Sequence, residues 1–240
     1  LKYYFYFVIM RFSIVIPVFN ESKNLPILIK QIFRILRSKT FELIIVDDNS
    51  TDGTKYIMNK LKKRNMRYYI RKKDRDLTKS CVFGFRRSKY DNILVMDGDL
   101  QHRPVDILKL LKVYEKKKAD FVIGTRKLFE KKKHNLGLIR LSASRILILI
   151  VNIFLGRKTS DPMSGFFVFK KKIFTSNKNR LFNKGYKILM DLIYVDNKKR
   201  LIIDVGINFN TRKKGISKMN FKILLYLINM IFYKFYGKFF

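Results

Sequence analysis

A chain of 240 residues that is 48% hydrophobic and 15% aromatic can bury the core of one large domain or two small ones, which excludes wholesale disorder and a long multidomain assembly. Its 53 Lys and Arg against 18 Asp and Glu leave a net charge of +35, so a polyanion is the expected partner: nucleic acid, an anionic membrane surface or a phosphorylated substrate. Codon bias toward AT-rich triplets takes at least an equal share of that basicity, since Ile, Asn, Phe and Tyr are abundant beside Lys. The single cysteine, Cys81, cannot close an internal disulfide and fits a reducing compartment.

Residues 1–9 are apolar and aromatic but lack the basic flank and small-residue cleavage site of a signal peptide, and Met10 is the expected native start. Residues 11–16 form a β-branched apolar run stopped by Pro17, which reads as a buried strand. Leu25, Leu28, Ile29, Ile32, Ile35 and Leu36 then recur at helical spacing, with Asn24 able to cap and Pro26 in the first turn. Residues 42–46 are a second apolar run ending in Asp47 and Asp48, completing a βαβ unit. The alternation continues with helix 54–65, strand 66–70, helix 77–88, strand 92–96, helix 105–116 and strand 121–123. That order predicts a mostly parallel α/β sheet, whose ligands bind beyond the carboxyl ends of the strands.

The second half is less regular. It offers an apolar stretch over 138–155, a segment punctuated by Gly and Pro over 161–169, a helix near 186–195 and a strand over 201–209. No run reaches the roughly 20 apolar residues that cross a bilayer, and the best, 146–155, contains Asn152. Phe221, Leu224, Leu225, Ile228, Ile231 and Phe235 recur at helical spacing among Lys and Tyr, which predicts an amphipathic helix lying in a membrane interface. For 138–155, interfacial and core-packing placements are equally open.

In a chain poor in acids, Asp47, Asp48, Asp97 and Asp99 all fall at strand ends. Asp97 and Asp99 are close neighbours that repel unless a divalent cation lies between them and a bound phosphate, and Gly98 would let a ligand approach the backbone. Gln101 adds a neutral oxygen, a donor set for Mg²⁺ or Mn²⁺ rather than zinc. By itself this Asp-x-Asp leaves a metal site and a simple turn cap both open.

Its companions are more specific. Pro17-Val18-Phe19-Asn20-Glu21, Asp47-Asp48-Asn49-Ser50-Thr51-Asp52-Gly53-Thr54, Arg75-Asp76-Leu77 and Asp97-Gly98-Asp99-Leu100-Gln101-His102 follow one another in order. Gly124-Thr125-Arg126, Asp161-Pro162-Met163-Ser164-Gly165-Phe166, Gly185-Tyr186-Lys187-Ile188-Leu189 and Gly215-Ile216-Ser217-Lys218 come after them. From Met10 to about Lys218 the sequence resembles the family 2 glycosyltransferases, and within them the dolichol-phosphate (polyprenol-phosphate) mannose synthases. It departs from their pattern at Gly98 for Ala, Ile216 for Glu, Asp191 for Glu and Phe19 for Tyr.

The resemblance implies a glycosyltransferase A-type nucleotide-binding fold over 10–218, followed by an amphipathic tail over 219–240. It implies an inverting transfer of a hexose, mannose first among them, from a nucleotide sugar such as GDP-mannose to a polyprenyl phosphate. Pro17, Phe19, Glu21, Val46 and Asp48 would hold the nucleoside. Asp97, Asp99 and Gln101 would hold Mg²⁺ or Mn²⁺ on the donor diphosphate, beside Gly98. Arg126, Arg140, Ser144, Arg212 and Lys218 would face the donor diphosphate and the acceptor phosphate, with Asp99, Arg126, Arg140 and Lys218 carrying catalysis. An anionic acceptor needs no general base. Because the acceptor is anchored in lipid, the enzyme would be peripheral, on the cytoplasmic face of the membrane. The alternative within the family is transfer to a hydroxyl of a polysaccharide or lipid-linked oligosaccharide, which needs a base for which Asp191 is the placed candidate. A basic nucleic-acid-binding module is the alternative outside it, opposed by scattered charge and the lack of any nucleic-acid-binding motif.

Overall fold

The computed structural model describes residues 10–126, 138–210 and 221–237. Seven strands form one sheet in the order β3-β2-β1-β4-β6-β5-β7. β1 (Arg11–Val18), β2 (Thr40–Asp47), β3 (Met66–Ile70) and β4 (Asn92–Val95) are parallel, as are β5 (Phe121–Thr125) and β7 (Ile202–Gly206). Only β6 (Phe167–Lys170) is antiparallel to its neighbours β4 and β5.

Side chains alternate along the central strands, so the sheet buries both faces. Phe12, Ile14 and Ile16 of β1 point into one layer with α1 (Leu25–Ile35), α2 (Thr54–Lys60) and α4 (Asp106–Lys117). Val15 of β1, with Ile44 and Val46 of β2, points into the other, built from α3 (Leu77–Arg87), α5 (Leu138–Leu155), α6 (Lys171–Asn177), α7 (Ile188–Ile193) and α8 (Phe221–Tyr236). The apolar stripe of α1 shows the logic: Leu25, Leu28, Ile29 and Ile32 are buried at helical spacing, each worth about 1.5–3 kcal/mol.

Several boundaries depart from the sequence expectations for visible reasons. Pro17 does not stop β1, because β4 pairs only as far as Val15 and the proline lies on a stretch paired on one side. Helix α2 ends at Lys60 instead of 65, since Asn65 is drawn to the sheet: its carbonyl accepts from Leu43 N at 2.8 Å and its side chain donates to Phe41 O at 2.9 Å. Strand β6, which begins inside the Gly- and Pro-punctuated segment, fills the gap between β4 and β5, and helix α6 follows it directly.

Helix α8 packs on α5 and buries Leu227, Met230 and Ile231. Its other side is not polar, because Leu225, Ile228, Phe232 and Tyr236 are exposed. Helix α5 packs into the core through Ile148 and Val151, while Ile146 and Ile153 are exposed.

Candidate active site

The chain runs outward from β1 to β2 and β3, then returns to place β4 on the other side of β1. The loops leaving β1 and β4 therefore diverge and open a crevice at the carboxyl edge of the sheet. A cavity of about 320 Å³ lies there, reaching from Pro17 and Phe19 past Asp97 and Asp99 to Arg126 and Ser144.

One end is built from the loops after β1 and β2, which are tied to each other. Asn20 N donates to Ser50 Oγ and Thr51 N to Asn20 Oδ1, each at 2.8 Å, while Ser22 N donates to Asp52 at 2.9 Å. Asp47 serves this scaffold, accepting from Ser50 N, Ser50 Oγ and Tyr68 Oη. Asp48 instead lines the cavity, paired with Arg71 Nη1 at 2.6 Å and accepting from Asp76 N at 2.6 Å. Burial pushes its pKa up to about 6 against the opposing pull of Arg71. The guanidinium of Arg75 lies over the Phe19 ring at 3.9 Å, walling this end with a cation–π stack. Glu21 accepts from Asn24 Nδ2 at 2.7 Å. Val46 does not reach the cavity: it shares a face with Asp48 but lies two residues deeper, wholly buried in the core.

The middle of the cavity holds Asp97, Asp99 and Gln101. Leu100 between them has φ 62°, a left-handed conformation that costs a γ-branched residue on the order of 1 kcal/mol. The turn lets Asp99 Oδ1 accept from Gln101 N at 3.1 Å, and Gln101 Nε2 donates to Asn210 O at 3.2 Å. Asp99 is buried, not on an open surface loop. Asp97 faces His102 Nε2 at 3.5 Å. Burial would raise its pKa, but the His102 contact and the charges of His102, Lys187 and Arg126 outweigh that and hold it below the usual carboxylate range. His102 is itself buried, against the rings of Phe166 and Phe209.

Two glycines shape this region. A Cβ at Gly165 would lie 2.2 Å from Asp97 Oδ2, so Gly165 is the cradle in which that carboxylate rests. A Cβ at Gly98 would meet Val18 Cγ1 at 2.9 Å, so the space Gly98 frees is taken by strand β1 and not by a ligand. Among the described residues no group of three or more His, Cys, Asp or Glu could hold a metal by itself. Two carboxylates and an amide oxygen fit Mg²⁺ or Mn²⁺, which keep water and substrate phosphate among their ligands.

At the far end Arg126 makes two hydrogen bonds to Asp161, from Nε at 2.7 Å and Nη2 at 2.8 Å. Asp161 reaches it because Ser160 and Thr159 are held by Asp204. Lys187 also lines the cavity, and burial together with the charge of Arg126 brings its pKa down to about 8. Ser144 of α5 lines the same wall, and Arg140 falls one turn before it on the helix. The Arg140 side chain, and Arg212 and Lys218 altogether, lie outside the described residues. Asp191, the candidate base for a hydroxyl acceptor, is 1% exposed and does not line the cavity. It is bound to Lys234 Nζ at 2.6 Å and to the backbone N–H groups of Phe182 and Asn183.

Spacing alone does not single out Lys187 or Arg75, since one basic residue carries no contrast in a chain with 53 Lys and Arg. Arg75, His102, Asp161, Gly165 and Lys187 each sit inside a motif quoted above, and that membership is the signal that could find them.

The profile of Glycosyl transferase family 2 matches residues 13–176. A dolichol-phosphate mannosyltransferase of Pyrococcus furiosus is 32% identical over 93% of this chain, which spans 63% of that protein's length. One from Mycosarcoma maydis is 31% identical over 88% of this chain and 74% of its own. Among solved structures, glucosyl-3-phosphoglycerate synthase from Mycobacterium tuberculosis with Mn²⁺, uridine diphosphate and phosphoglyceric acid has a TM-score of 0.70 at 16% identity, covering 92% of this chain and 78% of that one. That likeness speaks for the fold. On the family match and the mannosyltransferase identities, the chain belongs to glycosyl transferase family 2 and resembles its dolichol-phosphate mannosyltransferases.

Proposed function

We propose that this protein transfers mannose from GDP-mannose to a dolichyl or other polyprenyl phosphate, with inversion at the anomeric carbon. The observation that carries the reading is the state of the acids. Of the four carboxylates lining the cavity, Glu21 accepts from Asn24, Asp48 pairs with Arg71, Asp97 faces His102, and Asp99 accepts from Gln101 N. Among the described residues each of these acids already has a partner, which favours an acceptor that brings its own negative charge, as a phosphate monoester does at neutral pH. The relatives named above support mannose and dolichyl phosphate as the pair.

In this reading Phe19, Arg75, Glu21 and Asp48 receive the nucleoside. Asp97, Asp99 and Gln101 would hold Mg²⁺ or Mn²⁺, and a bound divalent ion neutralises the departing diphosphate. Arg126 and Ser144 line the end where the acceptor phosphate approaches, with Arg140, Arg212 and Lys218 as further cations, within a catalytic region over 10–218. Incubating the protein with Mn²⁺, a panel of nucleotide sugars and a short polyprenyl phosphate tests this by mass spectrometry. A mannosyl phosphodiester from GDP-mannose supports the reading, and no glycolipid from any donor overturns it.

The site makes two further expectations. Gly165→Ala forces the Asp97 carboxylate out of its place and should lower turnover about 100-fold at unchanged fold, as misplacement of a reacting group by about 1 Å does. Wild-type turnover in that variant would detach Asp97 from the chemistry. Asp48 accepts from base or ribose donors more strongly when ionised, and its pKa near 6 means nucleoside affinity should fall by up to about tenfold between pH 7.5 and pH 5. Calorimetry with the nucleoside alone keeps phosphate titration out of the reading. Asp48→Asn should abolish the dependence, and a flat wild-type profile would contradict it.

The acceptor's chain stays in lipid, so the cavity must meet a membrane. No described helix is long and apolar enough to cross one. Helix α5 runs from Ser144 and Leu147 on the cavity wall to exposed Ile153 and Phe154, and the Phe154 ring touches those of Phe232 and Phe235 on α8. On a chain of net charge +35, this joint apolar face suits peripheral docking on the anionic, cytoplasmic side of a bilayer. Ile153→Ser with Phe232→Ser should reduce co-sedimentation with anionic vesicles about tenfold or more, at an estimated 0.8 kcal/mol per buried CH₂ lost. Undiminished vesicle binding would move the docking face elsewhere.

A further inference from the structure

The loop before α7 carries Tyr186 and Lys187 into the cavity. The Lys187 ammonium makes no hydrogen bond or ion pair to any described residue, and among them its charge is balanced at longer range by Asp97 and Asp161. The neighbouring guanidinium of Arg126 is already committed to Asp161 through two hydrogen bonds. A half-buried ammonium on the cavity wall is suited to an anion, because a charge-assisted contact compensates its loss of water better than a hydroxyl does.

What holds Lys187 there is a carboxylate from another element. Asp76 is buried at the start of α3, and its Oδ1 accepts from Lys79 N at 3.0 Å as a helix cap. A cap needs one oxygen. The second, Oδ2, accepts from Gly185 N at 2.5 Å, across 109 residues of chain. Gly185 O in turn accepts from Thr78 N at 3.0 Å, so the loop and the helix start are clamped in both directions. Gly185 has φ +91°, a conformation open to glycine, and it turns the chain so that Lys187 follows two residues later in the cavity. Asp76 N also donates to Asp48, so the clamp is anchored on the nucleoside end.

We propose that Asp76 is a positioning residue: by holding Gly185 it fixes the Lys187 ammonium against the diphosphate of the donor. This rests on reading the cavity as a nucleotide-sugar site. The double assignment predicts coupling. Lys187→Met should lower kcat about 100-fold, as loss of a charge-assisted contact to the leaving group does. Asp76→Ser keeps a helix cap but cannot reach Gly185, and should lower kcat about tenfold.

The test is the cycle of Lys187→Met, Asp76→Ser and the double variant, with Asp76→Asn as a second route should the serine variant fail to fold. If Asp76 acts through Lys187, the double variant is no slower than Lys187→Met. Losses that multiply to about 1,000-fold, or an unchanged Lys187→Met, overturn the proposal. Calorimetry with Mn²⁺ and GDP or UDP, against guanosine or uridine, supplies a readout independent of turnover. Both single variants should weaken the diphosphates about tenfold and leave the nucleosides unchanged, and equal diphosphate affinities in wild type and Lys187→Met overturn it. A wild type that binds the diphosphates yet forms no product sinks the transferase reading, and the diphosphate-to-nucleoside ratio then decides this inference by itself.

Discussion

Asp99→Asn is expected to lower turnover about 1,000-fold, on the order of 4 kcal/mol of transition-state stabilisation, with the fold intact. Asparagine keeps an oxygen for the Gln101 N–H that Asp99 now accepts, so no buried donor is orphaned. What it removes is one of the two negative charges that attract a divalent ion, and the remaining charge, Asp97, is already shared with His102. Excess Mn²⁺ should recover only part of the loss, and chelation with EDTA should bring wild type to the level of the variant. Alanine is the poorer probe, because the side chain is buried and its loss would leave Gln101 N unpaired. Full turnover of Asp99→Asn, or of wild type in EDTA, would sink the metal assignment.

The largest effect on stability is expected from Asp191→Ala. This carboxylate is buried with Lys234 and also accepts from Phe182 N and Asn183 N. Removing it leaves two backbone donors unpaired and the buried ammonium without a counter-charge, held by the Arg180 carbonyl at 3.1 Å, which costs about 3–5 kcal/mol. For a chain of this length that is a fall in Tm of roughly 10 °C. Lys234→Met should cost less, since Asp191 keeps its two N–H donors. Thermal unfolding followed by circular dichroism reads both. Were Asp191 a general base instead, Asp191→Asn would abolish turnover while barely moving Tm, and that result would restore a hydroxyl acceptor. The same ion pair makes deletion of 221–240 a poor test of membrane binding, because truncation removes Lys234 along with the buried Leu227, Met230 and Ile231.

How far the sequence foretells this molecule depends on how local each signal is. Strand β3 falls on the predicted 66–70, and the acids end up at the carboxyl edge, because strand ends and helical periodicity are written in neighbouring residues. Strand β6 is not legible. It is four residues long, and its place between β4 and β5 is set by partners at Asn92–Val95 and Phe121–Ile123, far away in the chain. The site divides in the same way. Asp97, Asp99, Gln101 and Arg126 are found through motifs, whereas Val46, on the same face as Asp48 but two residues deeper, stays in the core, a depth that depends on the strand's partners and is not written in its own residues. The pairing of Asp76 with Gly185, and of Asp191 with Lys234, spans 109 and 43 residues and leaves no trace in local pattern.

The central claim is that the acceptor supplies its own charge, and a direct competition tests it. With Mn²⁺ and GDP-mannose, the protein is offered equal amounts of a polyprenyl phosphate and the corresponding polyprenyl alcohol, and the products are separated by mass spectrometry. Mannosyl phosphodiester alone is expected, because the acids that the described residues place in the cavity all have partners. Transfer to the alcohol at a comparable rate would require a base in the site and would contradict it.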